Sequence, residues 1–318
     1  MRKARSLSLT ALAVLGVIVL VATLGACGSG TASSGESPAA SASTGGVATV
    51  TADPALNAML PAAIKSAGTI RVATNMPYQP WEMYTEVGSK QATGIDYDLS
   101  QALAARLGVK ASFDQTVFDS IIPALLAGKE DMVMASMFDN DERQKQLDFV
   151  DYATDGYGIM VLKGNPDGIN TVDDLAGKTV AVQSGTSQVG ELKKLNETFT
   201  ASGKAPINIL QFPQDSDAQL AVTSGKAQAQ MDDQSVAAYT VKTFDNGGTF
   251  QLVDDPSVAS SFSNAIIGVG VPKDDTQLRD AVQKALQSLI DDGTYKQILD
   301  KYGEGSLAVT SAQLNQGK

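Results

Sequence analysis

From about Ser66 onward, short β-branched and aliphatic runs alternate with longer stretches whose apolar positions recur at helical spacing. Alternation over a few residues marks a half-buried strand, and recurrence at i, i+4, i+8 marks one face of a helix. Residues 69–74 (TIRVAT) follow the first pattern. Leu99, Leu103 and Leu107 follow the second, within a helix predicted over 98–107 and stopped by Gly108. The same reading predicts strands at 109–113, 131–135, 178–182, 207–212, 227–231, 250–253 and 266–271. It predicts helices at 118–126, 139–146, 217–223, 234–243, 276–290 and 295–302. Strands alternating with helices give an α/β protein, and so many elements exceed one small sheet, so two α/β lobes are expected.

The first 65 residues follow another pattern. Arg2, Lys3 and Arg5 precede an apolar run over 7–24 that ends in Leu24-Gly25-Ala26-Cys27. Such a run is at the lower length limit for an uncleaved span. The small residues before Cys27 favour instead a lipoprotein signal peptide over 1–26, with Cys27 lipidated after cleavage. Residues 28–51 are Gly, Ala, Ser, Thr or Pro apart from Glu36, Val47 and Val50. That composition cannot offset its ordering entropy, so 27–65 is expected to be a lipid-anchored flexible linker. The folded body is thereby placed outside the cytoplasm, tethered to the outer face of the cell membrane.

Charge and composition remove several classes of function. Lys and Arg total 24 against 35 Asp and Glu, a formal charge of −11. With no excess of cations, a nucleic-acid partner is not expected. The chain has no His and one Cys. A His/Cys zinc site, a Ser-His-Asp triad and an internal disulfide are therefore excluded, and neither metal nor cofactor is expected.

The ordered motifs carry a resemblance. Gly68-Thr69-Ile70-Arg71-Val72, Tyr78-Gln79-Pro80-Trp81-Glu82 and Gly94-Ile95-Asp96-Tyr97-Asp98-Leu99 open the series. Ile122-Pro123-Ala124-Leu125, Asp139-Asn140-Asp141-Glu142-Arg143 and Leu147-Asp148-Phe149-Val150 follow. The stretch from Leu175 to Thr186, then Asp233-Gln234-Ser235-Val236-Ala237-Ala238-Tyr239 and Asp292-Gly293-Thr294-Tyr295-Lys296, complete it. Each motif alone is weak, but the ordered set over about 66–303 resembles the family 3 solute-binding proteins, amino-acid receptors of ABC importers. The resemblance implies the two-lobed type II periplasmic-binding-protein fold, each lobe a central mixed sheet flanked by helices, with ligand in the cleft. It implies one lobe from 66–156 and 268–318, a second from 157–267, and hinge crossings near 155–157 and 264–267. It further implies a monomer without catalytic activity that closes on an amino acid and delivers it to permease subunits.

The resemblance also assigns residues. Arg143 matches the position whose guanidinium fork takes the ligand α-carboxylate, a geometry Lys cannot reproduce; on its own it reads as a solvated charge of the 139–146 helix. In that helix Asp139 is expected as N-cap and Glu142 as its capping-box partner. Gly185, Thr186 and Ser187 open a helix after a strand, where free N–H groups favour an anion, although ordinary capping explains them equally well. Gln183 lies two residues before that turn. Asp233 matches the acceptor of the ligand ammonium, and strand alternation is expected to send Asp232 to solvent. Ser136 matches a ligand hydrogen-bonding position. Tyr78, Trp81, Phe118 and Phe138 are the cleft aromatics, although an aromatic after a strand is more often core. Asn75 stands where an acid is common.

Two rival functions share the scaffold: an extracytoplasmic dehydratase, and a receptor feeding a sensor kinase. Against the enzyme, proton transfer would fall to carboxylates, Lys or Tyr. With Asn75 replacing an acid, neutral polar or aromatic amino acids are expected first, cationic ones second and acidic ones last.

Overall fold

The computed structural model describes residues 49–318. The expected signal peptide, Cys27 and the expected linker as far as residue 48 lie outside the described residues. The expectation of a flexible linker up to residue 65 needs correction. Helices α1 (Pro54–Met59) and α2 (Ala62–Ala67) bury Leu56, Leu60 and Ile64 in the body's core. Asp53 caps α1 through its carboxylate, its own N–H donates to the Arg106 carbonyl, and Asn57 reaches the Leu107 carbonyl at 2.7 Å. Low-complexity composition hid this, because three apolar residues in two short helices make a weak periodic pattern.

β1 (Thr69–Thr74), a small hairpin of β2 (Met83–Tyr84) and β3 (Ala92–Thr93), and α3 (Ile95–Arg106) follow. Next come β4 (Lys110–Gln115), α4 (Ile121–Leu126), β5 (Met132–Val133), β6 (Phe138–Asp139), α5 (Asp141–Gln144) and the long β7 (Leu147–Leu162). β8 (Thr179–Gln183), α6 (Ser187–Ala201), β9 (Asn208–Phe212), α7 (Asp215–Thr223), β10 (Ala229–Asp233), α8 (Gln234–Thr243) and β11 (Phe250–Leu252) continue the chain. It ends with α9 (Pro256–Phe262), β12 (Ser263–Pro272), α10 (Thr276–Asp291) and α11 (Thr294–Lys301). Among the described residues no helix is long and apolar enough to cross a membrane.

The main sheet runs β4-β1-β5-β12-β7-β10-β8-β9. β7 joins its two halves, pairing with β12 as far as Gly156 and with β10 and β11 from Tyr157 onward. Both halves are covered on both faces, and strand alternation distributes the side chains. Val72 and Met132 enter one layer while Ala73 and Val133 enter the other; Val180 and Val182 likewise face away from Ala181. α10 shows why the helix pattern was readable: Leu278, Val282, Leu286 and Leu289 form one buried stripe.

β7 was not predicted as a strand, because Asp148, Asp151, Asp155, Gly156 and Gly158 interrupt its apolar run. Its acids are buried with partners. Burial would raise the Asp148 carboxyl, but Arg279 at 2.8 Å and the Asn315 amide hold it below the usual range. Asp155 accepts from Ser235 Oγ at 2.6 Å.

Leu286→Ala removes a fully buried side chain from the α10 stripe. It should lower unfolding stability by about 2–5 kcal/mol, measured as a shift in the urea midpoint, with amino-acid affinity kept in the folded protein.

Candidate functional site

Residues from both halves of the sheet meet around one cleft. Asn75, Tyr78, Glu82, Phe118, Ala135, Ser136, Phe138 and Arg143 come from one side, and Gln183, Thr186, Ser187, Gln188 and Asp233 from the other. The cleft is closed: the space left takes little more than one water-sized sphere, about 10 Å³. Direct hydrogen bonds cross it. Tyr78 Oη donates to Asp232 Oδ1 at 2.6 Å, Ser136 Oγ to Asp233 Oδ2 at 2.9 Å, and Gln183 Nε2 to Asn75 Oδ1 at 2.7 Å.

Arg143 is 8% exposed. Its Nη1 donates to the Phe138 carbonyl at 2.6 Å and its Nη2 to the Gly185 carbonyl at 3.1 Å. Its Cζ lies 5.6 Å from the centre of the Phe118 ring, within cation–π range. Burial pulls its pKa down to about 10, which leaves it protonated at neutral pH. The helix that carries it differs from expectation. α5 begins at Asp141, and its cap is Asn140, whose Oδ1 accepts from the Arg143 N–H at 3.0 Å. Asp139 is not the cap because its backbone is extended and pairs with Ile266, while Gln144 and Gly317 occupy its carboxylate. Glu142 forms no capping box and pairs with exposed Lys145.

Gly185 makes the turn from β8 toward α6. Its φ of 80° suits glycine, and a Cβ there would lie 2.8 Å from the Asp119 Cβ. Thr186 is the N-cap residue of α6 but makes no side-chain cap bond; its hydroxyl donates to the Gln183 carbonyl at 2.8 Å. Ser187 Oγ accepts from Asn140 Nδ2 at 3.1 Å.

Asp233 sits at the end of β10, with Gln188 Nε2 at 2.6 Å on its other oxygen. Burial, then the charge of Asp155, push its carboxyl well above the usual range despite these donors. Asp232 is not in solvent. β10 is buried on both faces, so alternation sends Asp232 into a second interior layer with Tyr78, Gln230 and Asp215. Ser136 adopts a left-handed backbone, φ 43°, held by its N–H donating to Asp96 Oδ2 at 2.7 Å. Asp96 also accepts from Tyr152 Oη at 2.6 Å, and burial raises its pKa to about 6.

Trp81 does not line the cleft. It is wholly buried, edge-on to Tyr152, and its indole N–H donates to Ser235 Oγ at 2.8 Å. Gly185 reaches the site through its carbonyl and borders a second, wider groove shared with Arg143, Thr186 and Ser187. Phe138 packs on Tyr157 with ring centres 5.1 Å apart.

Glu82 and Gln188 were not singled out from sequence. Glu82 stands in the quoted Tyr78–Glu82 motif, and Gln188 follows the Gly185-Thr186-Ser187 turn directly. Glu82 is 1% exposed, and among the described residues neither of its oxygens meets a nitrogen or hydroxyl donor. Burial, then the neighbouring Asp96 carboxylate, push it well above the carboxylate range. The cleft therefore sets one buried cation against several buried acids.

An arginine-binding protein of Corynebacterium glutamicum is 29% identical over 264 residues, covering 83% of each chain. The solved structure of an ancestral arginine-binding protein bound to arginine is 36% identical, with TM-score 0.66, over 74% of this chain and 98% of its own. An ancestral amino acid-binding protein described as a precursor of cyclohexadienyl dehydratase is 36% identical, with TM-score 0.64, over 76% and 97%. The architecture is that of the type II periplasmic amino-acid-binding proteins. The pattern of the bacterial extracellular solute-binding proteins, family 3, matches residues 70–305, and the chain belongs to that family.

Proposed function

We propose that the protein is an extracytoplasmic receptor that closes on an amino acid and delivers it to the permease subunits of an ABC importer. The observation that carries this reading is the burial of Arg143 and Asp233 on the same cleft. Arg143 takes the α-carboxylate together with the amide end of α6, and Asp233 takes the α-ammonium beside Ser136 and Gln188. Tyr78, Phe118 and Phe138 flank the side chain, and Asn75 and Gln183 supply neutral hydrogen-bonding groups. Residues 66–156 with 268–318 act as one lobe and 157–267 as the other, moving about the chain crossings in β7 and β12. Ligand bridging the lobes favours the closed state, which a transporter can read. The closed cleft must part to admit an amino acid.

Within this reading the preferred side chain is cationic, which moves cationic amino acids ahead of the neutral ones expected first from sequence and leaves acidic ones last. Glu82 supplies a buried acid that the missing one at Asn75 seemed to remove. A guanidinium or ammonium displaces its proton and gives it the donor it lacks, whereas an acidic side chain meets no cation beyond Arg143. The binding of arginine named for two of these relatives agrees. The relatives named are binding proteins rather than enzymes. That favours a receptor over a dehydratase on the same scaffold.

Calorimetry against arginine, lysine, glutamine and glutamate tests the ranking. Arginine should bind tightest, and Glu82→Gln should weaken arginine more than tenfold while changing glutamine little; glutamate binding tightest would overturn it. Arg143→Lys keeps the charge but loses the fork, and should cost about 2–5 kcal/mol of affinity for every ligand. Wild-type affinity in Arg143→Lys removes it from the carboxylate role.

Anchoring belongs to the same proposal: lipidated Cys27 tethers the receptor to the outer face of the cell membrane. Cys27→Ala should abolish lipid labelling and either release the protein or leave the unprocessed precursor. Unchanged labelling and mature size would contradict the anchor.

A further inference from the structure

After α11 the chain returns along β7, bridging Ala308 to Ala153 and Leu314 to Val150. The Asp151 N–H donates to the Gln313 carbonyl at 3.0 Å, and Asn315 exchanges bonds with Phe149, its Oδ1 accepting at 2.8 Å. The Gln316 N–H then donates to Asp151 Oδ2 at 3.0 Å and the Gly317 N–H to Asp139 Oδ2 at 2.6 Å. Gln144 Nε2 closes the arrangement, donating to the Gly317 carbonyl at 3.0 Å and to Asp139 Oδ1 at 2.7 Å. The fit is tight: a Cβ on Gly317 would lie 2.1 Å from the Asp139 carbonyl oxygen. Asp139 stands between the two residues that orient Arg143, Phe138 through its carbonyl and Asn140 through its side chain.

We propose that residues 313–317 form a positioning strap for the amino-acid site. By clamping Asp139, the strap fixes the turn that aims the Arg143 guanidinium into the cleft. This rests on Arg143 receiving the ligand carboxylate. None of these strap residues lines the cleft, although Gln316 borders the wider groove beside it; the strap acts through Asp139 and its two neighbours.

The strap closes over a carboxyl pair. Asp151 is 2% exposed, and its Oδ1 has no donor among the described residues. Asp139 lies within hydrogen-bonding reach of it; Asp141 and Arg143 act on Asp139, and from β12 Gly268 faces Asp151. Burial, opposed by the Gln316 N–H and reinforced by Asp139, raises the Asp151 pKa to about 7. A raised pKa in the docked state means docking takes up a proton. Docking is therefore strongest at acid pH, below the ordinary carboxyl range, and weakens progressively as pH rises towards about 7.

The test measures arginine affinity of the full-length protein at pH 6 and pH 8, with amide hydrogen exchange over 138–144 as a ligand-independent arm. Gly317→Ala should weaken binding at pH 6 about tenfold, ~1.4 kcal/mol, and should speed exchange at the Arg143 amide. Asp151→Asn makes the bond to Asp139 without a titrating proton. Its affinity relative to wild type should rise several-fold between pH 6 and pH 8; titrations elsewhere in the cleft cancel in that comparison. Wild-type affinity and exchange in Gly317→Ala, or a wild-type pH profile in Asp151→Asn, would overturn the strap. Should Gly317→Ala fail to fold, Asp151→Asn decides. Were wild type to bind no amino acid, the receptor reading would fall while the exchange arm still judged the strap.

Discussion

A guanidinium cannot be taken out of water unless fixed acceptors replace its hydration, at a cost of several kcal/mol per ion otherwise. Arg143 meets that condition with two carbonyls, Phe138 ahead of its own helix and Gly185 across the cleft. Much of the local structure serves those two bonds. The short α5 exists to turn the side chain inward, Asn140 caps it, and the left-handed Gly185 exposes a carbonyl at the end of β8. Because one acceptor comes from each side, the full set of partners exists only when the cleft is closed. In the proposed receptor, burial of the charge and closure would be one event.

The other ionisable groups lining the cleft or packed directly behind it are acids. Glu82, Asp96, Asp232 and Asp233 are all buried, and burial is the first cause of the raised pKa of each. A closed cleft of this kind retains protons. In the proposed receptor, a ligand that brings its own cations would remove the need for them, so charge complementarity would give differential affinity for the closed state. A ligand with equal affinity for open and closed forms would shift nothing.

Regular elements were legible where a stripe was continuous. The α8 prediction at 234–243 matches the observed Gln234–Thr243, and the α10 prediction at 276–290 falls one residue short. Pairwise site geometry was not legible, because it depends on long-range neighbours. Asp232 read as exposed because alternation gives two faces but does not say that both are interior. Trp81 read as a cleft aromatic, although its partner Ser235 lies 154 residues away. Asp139 read as a cap because Asp is a common one, whereas its pairing with Ile266 keeps the backbone extended.

β7 and the strap beside it show the limit in its strongest form. A strand carrying Asp148, Asp151 and Asp155 has no apolar pattern strong enough to announce itself. Each acid is tolerable only because a distant segment satisfies it: Arg279 for the first, the Gln316 N–H for the second, Ser235 for the third. Those segments are α10, the returning C-terminal stretch and α8, which between them reach both halves of the sheet. Acids that look like strand breakers are the attachment points by which the crossing strand is tied to its surroundings. The strand joining the two halves is consequently held by specific polar bonds as well as by apolar packing. Polar bonds of this kind fix register and direction, which suits the strand that the proposed receptor would need to hold in place while its cleft opens and closes.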